Sequence, residues 1–397
     1  MTLRVALWGG ASLNNVGDQL LMDVAETELR RRAPGCEVVR FCPWSDGPPV
    51  EPLWIDADGR WSGSGSFDAI VGLGGIWAGP PFRATFMQVF TFGADPAGFD
   101  PGTFTAWHGV GLADGAAPLT RASWREYIQA LVGRMDHLSV RGHDAATRFA
   151  SAVDIAPPVV ADPAFALAPA PARRRSVARP RIGIAIGDAR ESAQLTRFLT
   201  HPRFRERWCR WNPATCFSLD EVLARETDQA ELARKAGFLD KVWPNLTALT
   251  RYADVEFLGI ANMYADDEVA RRGVAAVEGA TLRELGAVDA EQISRVMSEY
   301  DAVVVSRFHS VVLALRTGIP FVALDPYWTP RTGTSKVHEL LADVQLPHRR
   351  VDADTDLAAL LGDVLTADGP EPAAYRRMHE RAQCDFDGLA DRISAAS

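Results

Sequence analysis

The sequence predicts two successive doubly wound α/β domains, and three observations lead there. Short apolar or β-branched runs alternate with helix-period stretches in two series, one closing near residue 168 and the other opening at 182. Between the series the composition turns to Pro, Ala and Arg (APAPARRRSVARPR), which suits a linker. The length of 397 residues exceeds the size at which a single core stops growing. The expected organisation is a first domain over 1–168, a linker over 169–181 and a second domain over 182–397, whose last helix can pack back on the first.

Composition narrows the function. A hydrophobic content of 47% with 23% charged residues fits a soluble globular enzyme. A net charge of −9 argues against a broad nucleic-acid surface, and no finger, homeodomain or basic-helix pattern occurs. No apolar run approaches the ~20 residues of a membrane span, and the first ten residues read as a strand without a signal peptide's basic start. The expected location is the cytoplasm. Cys36, Cys42, Cys209, Cys216 and Cys384 are few and scattered, the usage of a reducing compartment, and neither they nor the histidines have metal-ligand spacing. No metal or cofactor is expected.

In the first domain, residues 3–7 form a strand, and Gly9, Gly10, Asn14, Asn15, Gly17 and Asp18 make a polar turn before the helix bearing Leu21, Val24, Ala25 and Leu29. Asp18 at the helix start either caps free amides or holds an acceptor hydroxyl. The glycines lack the dinucleotide fingerprint. Strands follow at 37–41 and from 69, the latter running into Gly72, Gly74, Gly75 and Gly79; these either admit a ligand to the backbone or only permit a turn. A strand over 104–107 ends at His108, which either reaches substrate or faces water. Residues 124–135 are amphipathic, and the strand 138–140 ends at Arg141.

In the second domain, strands are expected at 182–186, 255–260, 302–305 and 321–324, with helices over 220–236, 239–252, 356–365 and 373–393. Asp289 and Gln292 form a capping box for the helix with Ile293, Val296 and Met297. The segment 201–217 has no clear period.

Polar chemistry collects in the stretch 301–336. The β-branched run 302–305 stops at Ser306, Arg307, Phe308, His309 and Ser310, a helix runs to a Gly318 cap, and a second strand follows. Arg307 and His309 therefore stand past a strand's carboxyl end and at a helix's amino end, where open α/β sheets bind ligands and anions are favoured. Arginine there matches carboxylate or phosphate, and histidine moves protons near neutral pH. Lys336 precedes an apolar helix, a position the helix dipole does not favour for a cation.

SRFHSVVLALRTGIPFVALDP, from Ser306, resembles the C-terminal signature of the polysaccharide pyruvyl transferase family. LWGGASLNNVGDQLLMDVAETEL, from Leu7, is similar to that family's first strand, Asn-x-Gly-Asp turn and helix; SVRGHDAATRFA and VVADPAF resemble its Ser-Val-Arg and Asp-Pro elements. The two α/β series and the linker between them give a glycosyltransferase-B-like architecture, two doubly wound Rossmann-like domains facing a cleft; the family resemblance concerns function. The resemblance implies transfer of a pyruvyl or enolpyruvyl group from phosphoenolpyruvate, the donor substrate, to hydroxyls of a sugar-containing acceptor. Arg307, Arg141 and Lys336 would grip the donor, His309 would transfer the proton, and Asp18 would serve as base or acceptor contact, with Asn15, Gly74, Gly75 and His108 lining the substrates. The family's Asp after the arginine is Gly142 here, so Asp144 is the expected partner of Arg141. A lipid-linked acceptor would bring the protein to a membrane surface without a span. A nucleotide-sugar glycosyltransferase and a non-catalytic anion binder are the alternatives.

Overall fold

The computed structural model describes residues 2–8, 16–42, 51–52, 67–74, 76–78, 102–112, 129, 132–133, 135–170, 179–187, 229–261, 266–326, 328, 335–352, 355–366, 369 and 371–396. Asn15, Gly75, the segments 171–178 and 201–217, and most of 124–135 and 327–334 lie outside them.

The first domain's strands are β1 (Arg4–Trp8), β2 (Glu37–Cys42), β3 (Glu51–Pro52), β4 (Ala69–Leu73), β5 (Ile76–Ala78), β6 (Phe104–Leu112), β7 (His137–Arg141) and β8 (Val159–Val160). They form one parallel sheet in the order β3-β2-β1-β4-β6-β7-β8, with β5 beside β6. The second sheet holds β9 (Arg181–Ala185), β10 (Asp254–Ile260), β11 (Thr281–Gly286), β12 (Ala302–Val305), β13 (Phe321–Leu324) and β14 (Arg350–Val351), in the order β11-β10-β9-β12-β13-β14 and again parallel. In each sheet the strand order reverses once, between β1 and β4 and between β9 and β12, which are the switch points where such sheets open a ligand crevice.

Parallel strands need crossovers that cover both faces, so the inner ones read as unbroken apolar runs: AIVGL, AVVV and FVAL are buried throughout. β11 (TLRELG) is an edge strand with half-exposed and exposed residues, and its Arg283 and Glu284 pair with Glu299 and Arg271. Charges suit an edge, and they hid this strand from an apolar-run reading.

The helices are α1 (Val16–Arg32), α2 (His143–Val153), α3 (Gln229–Leu249), α4 (Asp266–Ala276), α5 (Ala290–Met297), α6 (Phe308–Thr317), α7 (Lys336–Asp343), α8 (Leu357–Thr366) and α9 (Glu371–Ala396). Where two helices were expected over 220–236 and 239–252, α3 is continuous through Gly237. One glycine costs a helix only about 1 kcal/mol, too little to end it. The Asp289–Gln292 capping box of α5 and the left-handed Gly318 cap of α6 (φ 65°) are as the sequence predicts.

α9 belongs to the second domain by sequence and packs on the first. Phe386, Leu389 and Ile393 are buried, and Ala390 and Ile393 lie against Leu3, Val5, Leu29, Ala33 and Cys36. Each large side chain so buried contributes roughly 1.5–3 kcal/mol. Polar contacts add direction: Arg32 donates to Asp387 and to the Gln383 carbonyl (both 2.6 Å), Arg381 to the Val159 carbonyl (2.7 Å), and Asp385 accepts from the Ala161 N–H (2.8 Å). At the start of α9, Glu371 accepts from Arg349 at 2.9 Å, with side chains 0% and 2% exposed.

α7 makes a second bridge between the domains, since Glu339 Oε1 accepts the Ala145 N–H of α2 at 2.8 Å. The approach requires Gly142 (φ 90°), where a Cβ would lie 2.3 Å from Glu339 Cδ. Burial pushes the Glu339 carboxyl up to about 7, and Asp144 adds to the rise against the pull of the Ala145 amide. An acid raised in the folded state gives stability that is full below its unfolded value and is lost as pH rises through about 7. Glu339→Gln keeps the acceptor oxygen and removes this loss. Its melting temperature relative to wild type is expected to rise between pH 5 and 8, by an amount equivalent to at most roughly 3 kcal/mol. A difference independent of pH refutes it.

Candidate active site

Arg307 is the N-cap residue of α6, with extended φ of −91°, directly after β12 at the second switch point. Its guanidinium forms a two-point pair with Asp266 at the start of α4: Nη2 to Oδ1 at 2.6 Å and Nε to Oδ2 at 3.2 Å. Two residues past the end of the neighbouring strand β9 lies Gly187, whose N–H donates to Ser306 Oγ at 2.8 Å. A Cβ on Gly187 would lie 2.3 Å from Arg307 Nε, so the glycine makes room for the planar fork. Asp266 and Gly187 together fix Arg307 at the crevice.

His309, in the first turn of α6, reaches across the domain boundary. On one side stands Gly17 of α1, where a Cβ would come within 1.9 Å of His309 Nδ1. No larger residue fits without displacing the imidazole. Asp18 is the next residue, within the first turn of α1. On another side His309 Nε2 is 3.8 Å from Asp162 Oδ1, and this nitrogen is buried with no hydrogen-bond partner among the described residues.

Asp162 caps the 3-10 turn Pro163–Ala166, accepting the Ala164 N–H at 3.0 Å, and its other oxygen accepts from Arg141 Nη1. Asp144, the expected partner of Arg141, pairs instead with Arg148 one helical turn along α2. A residue at the start of α2 is directed by helix geometry to its own i+4 neighbour, whereas the β8 corner brings Asp162 under β7. The Arg141 guanidinium also stacks 4.1 Å over the Phe308 ring. Lys336, the first residue of α7, adds positive charge on this side. Burial holds the His309 imidazole down to about 4; Asp162 opposes that, and Arg141 and Lys336 reinforce it. His309 is therefore neutral at pH 7.

The arrangement thus gathers Arg307, His309, Arg141, Lys336 and the Gly17–Asp18 turn where the two domains meet. Two other residues singled out in the sequence sit differently. His108 is 1% exposed, with Nδ1 3.2 Å from Ser139 Oγ and its ring 5.2 Å from Phe386 of α9; burial, then His137, pushes it down to about 3. Gly74 is buried with φ 44°, and a Cβ there would lie 2.3 Å from Leu21 Cδ1, so its close approach is to α1. Asp162, Asp266 and Gly187 were given no role in the sequence reading. The signal for Asp162 was present: an Asp before Pro at a strand end is a capping pattern.

Residues 15–326 match the polysaccharide pyruvyl transferase family. The chain belongs to that family. The match spans the α1 turn, Arg141, Asp162 and the Arg307–His309 pair, which are the pieces that the fold brings together. Among curated proteins no relative matches the chain. Solved structures share its fold at low identity. A Listeria monocytogenes protein assigned as a UDP-N-acetylglucosamine 2-epimerase is similar over 100% of this chain and 96% of its own, with 11% identity and a TM-score of 0.51. MnaA of S. aureus, solved with UDP, is similar over 98% and 94%, with 10% identity and a TM-score of 0.50. The galactosyltransferase WaaB of the lipopolysaccharide outer core matches over 99% of both chains at 10% identity and a TM-score of 0.48. The family's fold in this chain is of glycosyltransferase-B type, two doubly wound α/β domains, and the protein is a transferase. Among the described residues no helix is long and apolar enough to cross a membrane.

Proposed function

We propose that the protein transfers a pyruvyl group from phosphoenolpyruvate to hydroxyls of a sugar-containing acceptor, forming a ketal and releasing phosphate, with no further cofactor. The observation that carries this reading is the convergence of two cations, Arg141 and Lys336, on the buried neutral His309, two residues after Arg307 at the crevice, in a member of this family. Phosphoenolpyruvate is a small, highly charged carboxylate and phosphate, and the two domains offer it cations and the amide end of α6. Its arrival sets negative charge beside Arg141 and Lys336, offsets the charges that hold His309 down, and lets the imidazole take a proton.

His309 then gives that proton to the methylene carbon, the C=C π bond opens, and a cationic centre forms at the adjacent carbon. One acceptor hydroxyl adds there and loses its proton, for which Asp18, next to Gly17 in the first turn of α1, is the proposed base. Departure of phosphate regenerates the cationic centre, and a second hydroxyl closes the ketal. Of the two hydroxyl protons released, one replaces the proton spent on carbon and one leaves with phosphate.

Thermal shift tests the donor. Phosphoenolpyruvate at about 100 times its dissociation constant is expected to add roughly 2.7 kcal/mol to the wild type and little to Arg307→Ala. Increments rather than baselines are compared, because Asp266 also loses a partner in the variant. Stabilisation by nucleotide sugars alone would replace this reading with a glycosyltransferase.

A further inference from the structure

Asp162 is 3% exposed and stands between two groups from different domains. One oxygen accepts from Arg141 of its own domain; the other caps Ala164 and faces His309 Nε2 of the second domain at 3.8 Å, too long for a hydrogen bond. A buried ring nitrogen with no partner among the described residues, less than 1 Å outside bonding distance of a buried carboxylate oxygen, is costly as it stands and cheap to complete. Among the described residues the charged groups facing His309 are Asp162 from the β8 corner, Arg141 from β7 and Lys336 from α7; α1 faces it with uncharged Gly17, followed by Asp18. Burial acts first on its charge, and one buried anion then opposes two cations.

We propose that Asp162 is a positioning residue with two duties at once: it aims Arg141 at the donor anion, and it accepts the Nε2–H of His309 when the two domains draw together, so that the imidazolium forms only in the closed complex. The inference rests on the donor reading for the identity of the anion, but the link between Asp162 and His309 is independent of it. A histidine held neutral, with Nε2 unbonded among the described residues, does not give a proton to water or to a wrong acceptor before the donor arrives. Closure by less than 1 Å would supply a charge-assisted hydrogen bond, and the donor's negative charge would offset the two cations. Arg141 and His309 are thereby coupled through one carboxylate across the domain boundary.

Two readouts separate this role from mere support of Arg141. In the ligand-free protein, nitrogen chemical shifts of 15N-labelled histidine, assigned by loss of signal in His309→Gln, should show the Nε2–H tautomer of His309 predominant in wild type, with that preference lost in Asp162→Asn. In turnover with phosphoenolpyruvate, kcat should fall above the imidazole pKa of the complex, and Asp162→Asn should move that descending limb about 1–3 units lower, the range for losing an adjacent opposite charge. Should Asp162→Asn fail to fold, Asp162→Ser keeps a capping oxygen for the Ala164 N–H and is expected to behave in the same way. A higher KM with the tautomer and the limb both unchanged overturns the proposal and leaves Asp162 as a support for Arg141. If wild type turns over no phosphoenolpyruvate yet the tautomer preference disappears in the variant, the donor reading falls and the link stands.

Discussion

Replacing His309 with alanine is expected to reduce turnover about 10²–10⁴-fold, the usual worth of a positioned proton donor, while donor binding stays within a few-fold of wild type. The binding cations come from β7, from the N-cap of α6 and from α7, none of which depends on the imidazole for its place. Arg141 keeps Asp162, and Arg307 keeps Asp266. Equal losses in kcat and kcat/KM would mark an interaction made only in the transition state. A variant that retains turnover, or one that loses donor binding in parallel, would remove His309 from the chemistry. Phosphate release under saturating donor and isothermal titration of the donor separate the two.

Arg349→Ala is expected to lower the unfolding free energy by about 3–5 kcal/mol, the largest stability effect of any single substitution considered for this chain. The variant leaves the fully buried Glu371 carboxylate without its guanidinium at the point where α9 leaves the second domain. Desolvation presses the Arg349 guanidinium downward and outweighs the pull of Glu371, so burial is a cost that this ion pair carries. Accordingly the double change Arg349→Met with Glu371→Leu should restore most of the loss, because apolar groups of similar size carry no charge to desolvate. Chemical denaturation of the three proteins decides it, and a double variant no better than Arg349→Ala would show that the pair supplies more than charge cancellation.

Local chemistry carried far in this sequence. The run 302–305, the Gly318 cap and the Asp289–Gln292 box are each set by neighbours within a few residues, and from them the strand-turn-helix place of Arg307 and His309 follows. Edge strand β11 was illegible because its charges suit solvent, and the two-residue strands β3, β8 and β14 are too short to show a period. The partners of the site residues were illegible for another reason. Asp266 lies 41 residues from Arg307, and Asp162 reaches His309 from the other domain. Such pairings depend on the angle at which the two sheets meet. Sequence spacing does suggest Asp144 for Arg141, and it fails because the nearer arginine, Arg148, stands one turn along the same helix. Asn15 and Gly75, also named as substrate contacts, lie outside the described residues.

The return of α9 to the first domain sets the order in which the chain can fold during synthesis. β1 and α1 emerge from the ribosome early, yet Leu3, Val5, Leu29 and Cys36 meet Ala390 and Ile393, which emerge more than 350 residues later. A nascent first domain therefore waits with an open apolar face while the whole second domain is translated, at about 5–20 residues per second. That interval of tens of seconds is when the protein is most exposed to chaperones and to aggregation, and a stop codon placed just before α9 would make the exposure permanent.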